Sequence, residues 1–253
     1  MSSHPVDMVA IGFIIGTIGT LIGAGGGFLL VPILLLLDPH MAPAVVTGIS
    51  LAVVFFNAAS GTIAYARMGR IVYRAGIAFS LAALPGAVIG AYTISYIPRS
   101  VFNGIFGCLM IAAAVYLMTA SESQTEEKQL GNYNLGLGAA ISVVVGFLSS
   151  VLGIGGGIIH VPALTRVLDF PVHMATATSH FVLSITALVA TIIHLMNGTL
   201  TGQFGTILWI SIGAIFGAQA GAMLSTQMKG SWILRLLAAG LGLIGIRILL
   251  PLF

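Results

Sequence analysis

Long apolar stretches separated by short polar turns make up almost the whole chain. The first covers residues 8–37, is interrupted by a run of glycines at 23–27, and ends at Asp38-Pro39-His40. Because about 20 apolar residues are needed to cross the hydrocarbon core of a bilayer, stretches of this kind predict transmembrane helices. Three further apolar stretches follow at 43–65, 75–97 and 101–120.

One strongly polar stretch, residues 121–134, divides the chain, and the pattern then starts again. Gly155 follows Gly25 by 130 positions, and Pro162 follows Pro32 by the same distance. Such self-similarity predicts two homologous transmembrane repeats, residues 1–120 and 135–253, joined by a polar linker at 121–134. The apolar stretches after the linker are 135–168, 175–196, 205–227 and 232–250.

The glycine-rich segments at 23–27 and 153–157 are the most unusual feature of the pattern. Each glycine costs a helix about 1 kcal/mol relative to alanine, so we expect both helices to be broken there. Lipid cannot satisfy free backbone polar groups, so a broken segment at membrane depth must be buried in protein or line a polar cavity. Close helix packing is the other common use of glycine in membranes. Two matched breaks favour the cavity, with the N-terminus of the following half-helix as an anion site.

The distribution of basic residues favours an inverted arrangement of the two repeats. Residues 8–22 and 28–37 number 15 and 10, and at about 1.5 Å per residue neither spans a core about 30 Å thick. If both broken stretches re-enter on one side, seven of the nine basic residues share a side, whereas two crossings give a nearly even split. The positive-inside rule therefore predicts three crossings and one re-entrant hairpin per repeat, with the linker in the cytoplasm and both termini outside. The expected fold is an all-α polytopic bundle whose repeats each contain a glycine-broken re-entrant or discontinuous helix.

Composition supports a membrane protein and excludes several functions. The chain is 58% apolar and only 6% charged, whereas a soluble domain carries about 25% charged residues. Its net charge of +3 comes from scattered residues and shows no nucleic-acid-binding patch. The single cysteine, Cys108, excludes an intramolecular disulfide and a thiolate metal site. The scattered histidines have no carboxylate neighbours, so we expect neither a metal nor any other cofactor.

The polar residues within the apolar stretches are mostly neutral. All six acidic residues lie in a terminus, at the end of a stretch or in the linker, which argues against a path for protons or sodium ions. Hydroxyl and amide groups such as those of Ser50 and Asn57 can donate hydrogen bonds to an anion without trapping it. The alternative for each hydroxyl is a bond to the carbonyl one turn earlier. His160 and His180 could donate to the anion or carry a coupling proton, or be buried structural histidines.

A family resemblance is carried by five segments of the sequence. They are GAGGGFLLVP, GIGGGIIHVP, ATSHF, PGAVIGAY and FGAQAGAMLS, and together they resemble the sulfite exporter TauE/SafE family of bacterial and archaeal membrane proteins. The resemblance implies a multi-pass inner-membrane transporter of sulfur oxyanions or organosulfonates. The first repeat departs from the family pattern in having Ile49 before Ser50, which places more weight on the second repeat. By position, the resemblance implies substrate-binding roles for Gly25, Gly26, Gly27, Ser50, Gly155, Gly156, Gly157, Thr178 and Ser179.

These observations predict a transporter that exports sulfite or a related sulfur-containing anion by alternating access. The anion would lie between the two glycine tips and contact the nine residues named above together with Asn57 and His180. A passive anion channel, or a carrier of an unrelated small anion, would use the same residues.

An intramembrane enzyme is not expected from this sequence. The adjacent Ser179 and His180 point about 100° apart on a helix and cannot form a catalytic pair, and no GxSxG motif is present. The expected partners are the anion and membrane lipid. Small-residue surfaces such as 217–221 could serve either a homodimer interface or packing within the chain, and the sequence leaves both open.

Overall fold

The computed structural model describes residues 4–38, 40–119, 130–131, 133–227 and 230–249, and the regular secondary structure in these ranges is helical, without a strand. The all-α prediction is therefore confirmed, while most of the predicted linker (residues 121–129 and 132) lies outside the described residues. A short 3₁₀ helix (Ile94–Tyr96) follows the fourth of ten α-helices. In chain order these are α1 (Pro5–Ile22), α2 (Gly27–Leu37), α3 (Pro43–Arg67), α4 (Tyr73–Thr93), α5 (Arg99–Thr119), α6 (Leu135–Leu152), α7 (Gly157–Arg166), α8 (Val172–Met196), α9 (Phe204–Leu224) and α10 (Gly230–Leu249).

Both predicted helix breaks are present, and glycine makes them possible. α1 is capped by Gly23 and α6 by Gly153, whose φ angles are 79° and 67°. Glycine adopts this left-handed conformation without the steric cost that a Cβ atom brings, so it ends the helix cleanly. The next helix begins after a second left-handed glycine, Gly26 with φ 80° or Gly156 with φ 64°. Two short helices, α2 and α7, therefore start in the middle of apolar sequence.

Six helices are long and apolar enough to cross a membrane, judged over the described residues: α1, α3, α4, α6, α8 and α9. The expectation that residues 8–22 are too short to cross is wrong for α1. This helix begins at Pro5, because proline is well suited to the first helical position, and its 18 residues span about 27 Å. α2, with 11 residues, is too short to be one of them.

The helices of the two halves of the chain pack against each other in exchanged pairs. α1 lies along α9, and α6 lies along α4, so the first helix of each half contacts the other half. The long helices α3 and α8 pack together, and α5 packs against α10. The glycine breaks are thereby surrounded by helices of both halves.

Small residues allow the α1–α9 pair to approach at backbone distance. A Cβ atom on Gly213, Gly217 or Gly221 would clash with the carbonyl oxygens of Val9, Phe13 or Thr17 on α1. The small-residue surface at 217–221, which the sequence suggested for dimerisation, is thus used inside the molecule. Gly86 and Gly146 make the matching α4–α6 contact, each against a backbone carbonyl of the other helix.

The outer surface of the bundle carries large apolar side chains. Ile14, Leu81 and Phe216 are 57%, 63% and 64% exposed. A surface of this composition is unfavourable in water and suits contact with lipid. The described helices therefore have the character of a multi-pass membrane protein.

Candidate functional site

The two glycine segments, residues 23–27 and 153–157, contact each other at the centre of the molecule. A Cβ atom on Gly27 would lie 2.5 Å from the carbonyl oxygen of Gly153. Reciprocally, a Cβ atom on Gly157 would meet the carbonyl of Gly23 and lie 2.5 Å from Cα of Ala24. The two predicted tips are thus brought together, but their backbones touch and leave no room for an anion between them.

One serine from each half holds the glycine segment of the other half. The Ser50 hydroxyl on α3 donates to the carbonyl oxygen of Gly153 at 2.6 Å, and the Ser179 hydroxyl on α8 donates to Gly23 at 3.3 Å. Both serines are buried. Because a hydroxyl has a single proton, each of these donors is occupied by a carbonyl, and neither is free to donate to an anion. Their observed role is to fix the glycine segments in place.

Two apolar side chains cover both glycine segments from α3 and α8. Val54 lies 3.1 Å from the position of a Cβ atom on Gly25 and 2.7 Å from that on Gly155, and Leu183 contacts both positions as well. Both side chains are buried. Sequence reasoning did not find them, because nothing distinguishes a valine or leucine at the centre of a site from one in the core.

A narrow cleft lies beside the second glycine segment, rather than between the two segments. Its polar side chains are neutral, and its space admits about one water molecule. The walls come from α4, α6 and α8, and the second glycine segment with the start of α7 closes the cleft. The lining residues are Ala83, Ser142, Val145, Gly146, Ser149, Gly155, Gly156, Gly157, His160, Ser179, Val182, Leu183 and Thr186.

The N-terminus of α7 faces this cleft through Gly156 and Gly157. No side chain among the described residues caps this helix. The first N–H groups of a helix have no partner within it and carry a partial positive charge. The Gly157 N–H donates back to the carbonyl oxygen of Gly155 at 2.6 Å, so the helix offers this space chiefly the positive end of its dipole.

His160 follows the second glycine segment on α7 and is 2% exposed. Its Nε2 atom lies 3.0 Å from the Ser142 hydroxyl, which itself donates to the carbonyl oxygen of Gly138 at 2.7 Å. The ring of Phe79 packs edge-on against the imidazole with 5.8 Å between centroids. The sequence singled out His160, and the structure places it in the wall of the cleft.

Two cleft hydroxyls escaped the sequence analysis, namely those of Ser142 and Ser149, whereas Thr186 belongs to the neutral polar residues noted within the apolar stretches. Ser142 and Ser149 are seven residues apart on α6, so they lie on one face of that helix. This spacing is a signal that could have identified them. They were missed because α6 precedes the glycine segment, whereas the hydroxyls predicted to bind the anion lie on helices that follow the glycine segments.

A buried polar cluster lies next to the first glycine segment. The Thr20 hydroxyl is 3.2 Å from Oδ1 of Asn57 and 3.1 Å from Nε2 of His180. Tyr65 donates to the Thr20 carbonyl at 2.8 Å and packs edge-on against the His180 ring. Asn57 and His180, both named from the sequence, are thereby joined by Thr20, which was not.

Thr178 is separated from the glycine segments. Its hydroxyl accepts a hydrogen bond from the backbone N–H of Val72, in the connection between α3 and α4, at 3.1 Å. It therefore lies on a different face of α8 from Ser179. Metal ligation has no geometric support either, because the described residues contain no group of three His, Cys, Asp or Glu side chains able to hold an ion.

Comparison with known proteins agrees with this architecture. Residues 8–248 match the family model described as sulfite exporter TauE/SafE. A "probable membrane transporter protein", YunE of Bacillus subtilis, is 32% identical, and the alignment covers 96% of this chain and 97% of YunE. A "probable membrane transporter protein" of Methanocaldococcus jannaschii is 29% identical over 96% of this chain and 94% of its own length.

More distant relatives carry the same description, and the solved structures add no match. One from Xylella fastidiosa is 28% identical over 87% of this chain and 83% of its own length. No solved structure matches the chain. The family match over nearly the whole sequence confirms the resemblance carried by the glycine segments, and the chain belongs to the TauE/SafE family of multi-pass membrane transporters.

Proposed function

We propose that this transporter exports sulfite or a related small sulfur-containing anion and binds it in the cleft beside the second glycine segment, which widens from its water-sized space when the two halves move. The observation that carries the proposal is the chemistry of that cleft, in which the Ser149 hydroxyl and the uncapped N-terminus of α7 face one small space. The hydroxyls of Ser142, Ser179 and Thr186 already donate to backbone carbonyls. Such donors replace part of an anion's hydration shell.

The absence of fixed charge from the lining matters for turnover. None of the lining residues is a lysine or arginine. A permanent cation would hold the anion strongly in a medium of low dielectric constant, whereas neutral donors allow it to leave. The cleft is therefore suited to an anion that is bound and then released, as in transport.

We further infer that the two halves are inverted repeats and that α1–α2 and α6–α7 form their broken elements. The exchanged packing of α1 with α9 and of α6 with α4 supports a two-fold relation between the halves. Rocking of one half against the other about the glycine segments would open the cleft alternately to the two sides. The basic side of the protein, with Arg67, Arg70 and Arg74, would face the cytoplasm across the inner membrane.

Cysteine labelling tests this topology directly. In a Cys108→Ser background, exposed Arg67 and Thr201 are each replaced by cysteine, one at the C-terminal end of α3 and one in the connection after α8. Inverted repeats place the two on opposite sides of the membrane, so an impermeant maleimide added to intact cells should label only one. Labelling of both, or of neither, would contradict the inversion.

Transport by the purified protein in proteoliposomes tests the function. We expect saturable uptake of labelled sulfite that thiosulfate blocks and acetate does not. Gly156→Val should abolish the flux, because Gly156 has φ 64° and its Cβ would press on Val145 and Ser149. Gly104→Val is the matched control, since nothing lies within 4 Å of that position. Wild-type flux in Gly156→Val would overturn the location of the site.

A passive channel is the second candidate, because the same donors could serve it. A channel gives current that rises linearly with anion concentration, whereas a carrier saturates. An enzyme is not supported by the Ser142–His160 pair. The Ser142 proton goes to a backbone carbonyl and the histidine donates to the serine, which is the reverse of the direction that activates a nucleophile.

A further inference from the structure

His160 offers the cleft one basic nitrogen that is not used by the neighbouring serine. The Ser142 hydroxyl has a single proton, and it donates that proton to the carbonyl oxygen of Gly138 at 2.7 Å. Its contact with Nε2 of His160 at 3.0 Å must therefore be donated by the histidine. With the proton of the neutral ring on Nε2, Nδ1 is the atom that can take up a second proton.

No other group in the cleft can balance a charge. α4, α6 and α8 contribute only aliphatic and hydroxyl side chains to the lining. α5 also touches α7, and none of its described residues is part of the lining. Arg166 lies at the opposite end of α7 from the glycine segment. His160 is thus the sole titratable side chain of the cleft.

An anion and a proton in this cleft stabilise each other. An anion held there by neutral donors alone, or an imidazolium alone, is a buried unpaired charge and costs free energy. When both are present, the charges are paired at short range in a medium of low dielectric constant. Binding of either one therefore favours binding of the other, as linkage requires.

We propose that the cleft binds its anion together with one proton, taken up at Nδ1 of His160, and that the two are carried as a pair. The inference rests on the proposed function and adds its coupling ion. Transport of a monovalent anion with one proton moves no net charge. The first half of the chain cannot do the same, because Leu30 occupies the position that corresponds to His160.

Calorimetry on the full-length protein in detergent tests the proposal without mutation. Methanesulfonate is the probe of choice, because it stays ionised and brings no proton of its own, and sulfite is measured in parallel. Binding enthalpies in two buffers of different ionisation enthalpy give the number of protons taken up. We expect one proton per methanesulfonate bound, and a value of zero would overturn the proposal.

Two variants locate the proton. His160→Gln keeps an N–H donor for Ser142 but has no basic nitrogen, so proton uptake should fall to zero while binding persists more weakly. His40→Gln removes an exposed histidine outside the site and should retain the wild-type proton count. Undiminished uptake in His160→Gln, with either anion, would show that the proton lies elsewhere.

Proteoliposome flux separates failure of this inference from failure of the proposed function. An acidic exterior should accelerate methanesulfonate uptake by the wild type and acidify the interior, as reported by a trapped pH dye, and His160→Gln should lose that acceleration. Flux that ignores the pH gradient would overturn the coupling alone. The absence of both sulfite and methanesulfonate flux would overturn the proposed function and the coupling with it.

Discussion

The first and second glycine segments have the same backbone but different surroundings. Both follow a left-handed cap glycine, both are held by a serine of the opposite half, and both are covered by Val54 and Leu183. At the positions of Ser142, Ser149 and His160 in the second half, the first half has Gly12, Gly19 and Leu30. The comparison shows a backbone contact that the two segments share, with different polar side chains on its two sides.

The space beside each segment follows from these substitutions. Gly19 lies so close to Gly26 that a Cβ atom on it would clash with the Gly26 backbone. α1 therefore fills the place that the cleft occupies near α6. The first segment has instead the buried cluster of Thr20, Asn57 and His180, in which Nδ2 of Asn57 and Nδ1 of His180 have no hydrogen-bond partner among the described residues.

The largest effect is expected where the two glycine segments touch each other. Gly27→Ala and Gly157→Ala each place a Cβ atom against the backbone of the other segment, and overpacking of this kind costs about 1–3 kcal/mol. Both variants should unfold at lower temperature in detergent and lose nearly all transport. Gly104→Ala is the control and should match the wild type, because the space around Gly104 is open. Normal flux in Gly27→Ala or Gly157→Ala would show that transport does not depend on this contact.

The second-largest effect is expected when the residues at the matching positions 160 and 30 are exchanged. His160→Leu copies the first half, so we expect sulfite flux to fall about tenfold, the equivalent of one lost donor worth about 1.4 kcal/mol, with little change in unfolding temperature. Leu30→His should instead lower the free energy of unfolding by about 1–3 kcal/mol, because it buries an unsatisfied polar group at a position that is 0% exposed.

Sulfite flux and the unfolding temperature are measured for both His160→Leu and Leu30→His. Equal flux losses, with both proteins stable, would mean that the halves are chemically equivalent and that the cleft has no special role.

The smallest effect is expected from the two serines that hold the segments. Ser50→Ala and Ser179→Ala should each lower the free energy of unfolding by about 1 kcal/mol, with the larger loss at Ser50, whose bond is 2.6 Å against 3.3 Å. Ser184→Ala is the control on α8, since that hydroxyl only bonds back to Phe181. If thermal unfolding shows an equal loss of stability in Ser184→Ala, the bonds to the glycine segments contribute no more than an ordinary bond within a helix.

The helix breaks could be predicted from sequence, because runs of glycine act locally. Residues 23–27 and 153–157 cost a helix free energy wherever they occur, and the structure breaks there. The start of α1 was misjudged because Val6 and Asp7 look like a polar terminus, although Pro5 favours a helix start. Such boundaries depend on a few tenths of a kcal/mol and respond to packing.

The chemistry of the site was harder to predict, because it depends on which groups meet across the fold. Ser50 and Ser179 were correctly placed beside the glycine segments, but the carbonyls that accept their protons come from the other half of the chain. Thr178 and Ser179 are neighbours in sequence and yet face different surroundings. No periodicity within one helix encodes such contacts between halves.

The crossed serine contacts have a mechanical consequence. Ser50 and Ser179 each bind the glycine segment of the other half at the point where the two segments touch backbone to backbone. In the proposed transport cycle this point would move least, and displacement would grow towards the ends of α3 and α8. An anion in the neighbouring cleft would then stay almost stationary while access changes from one side of the membrane to the other.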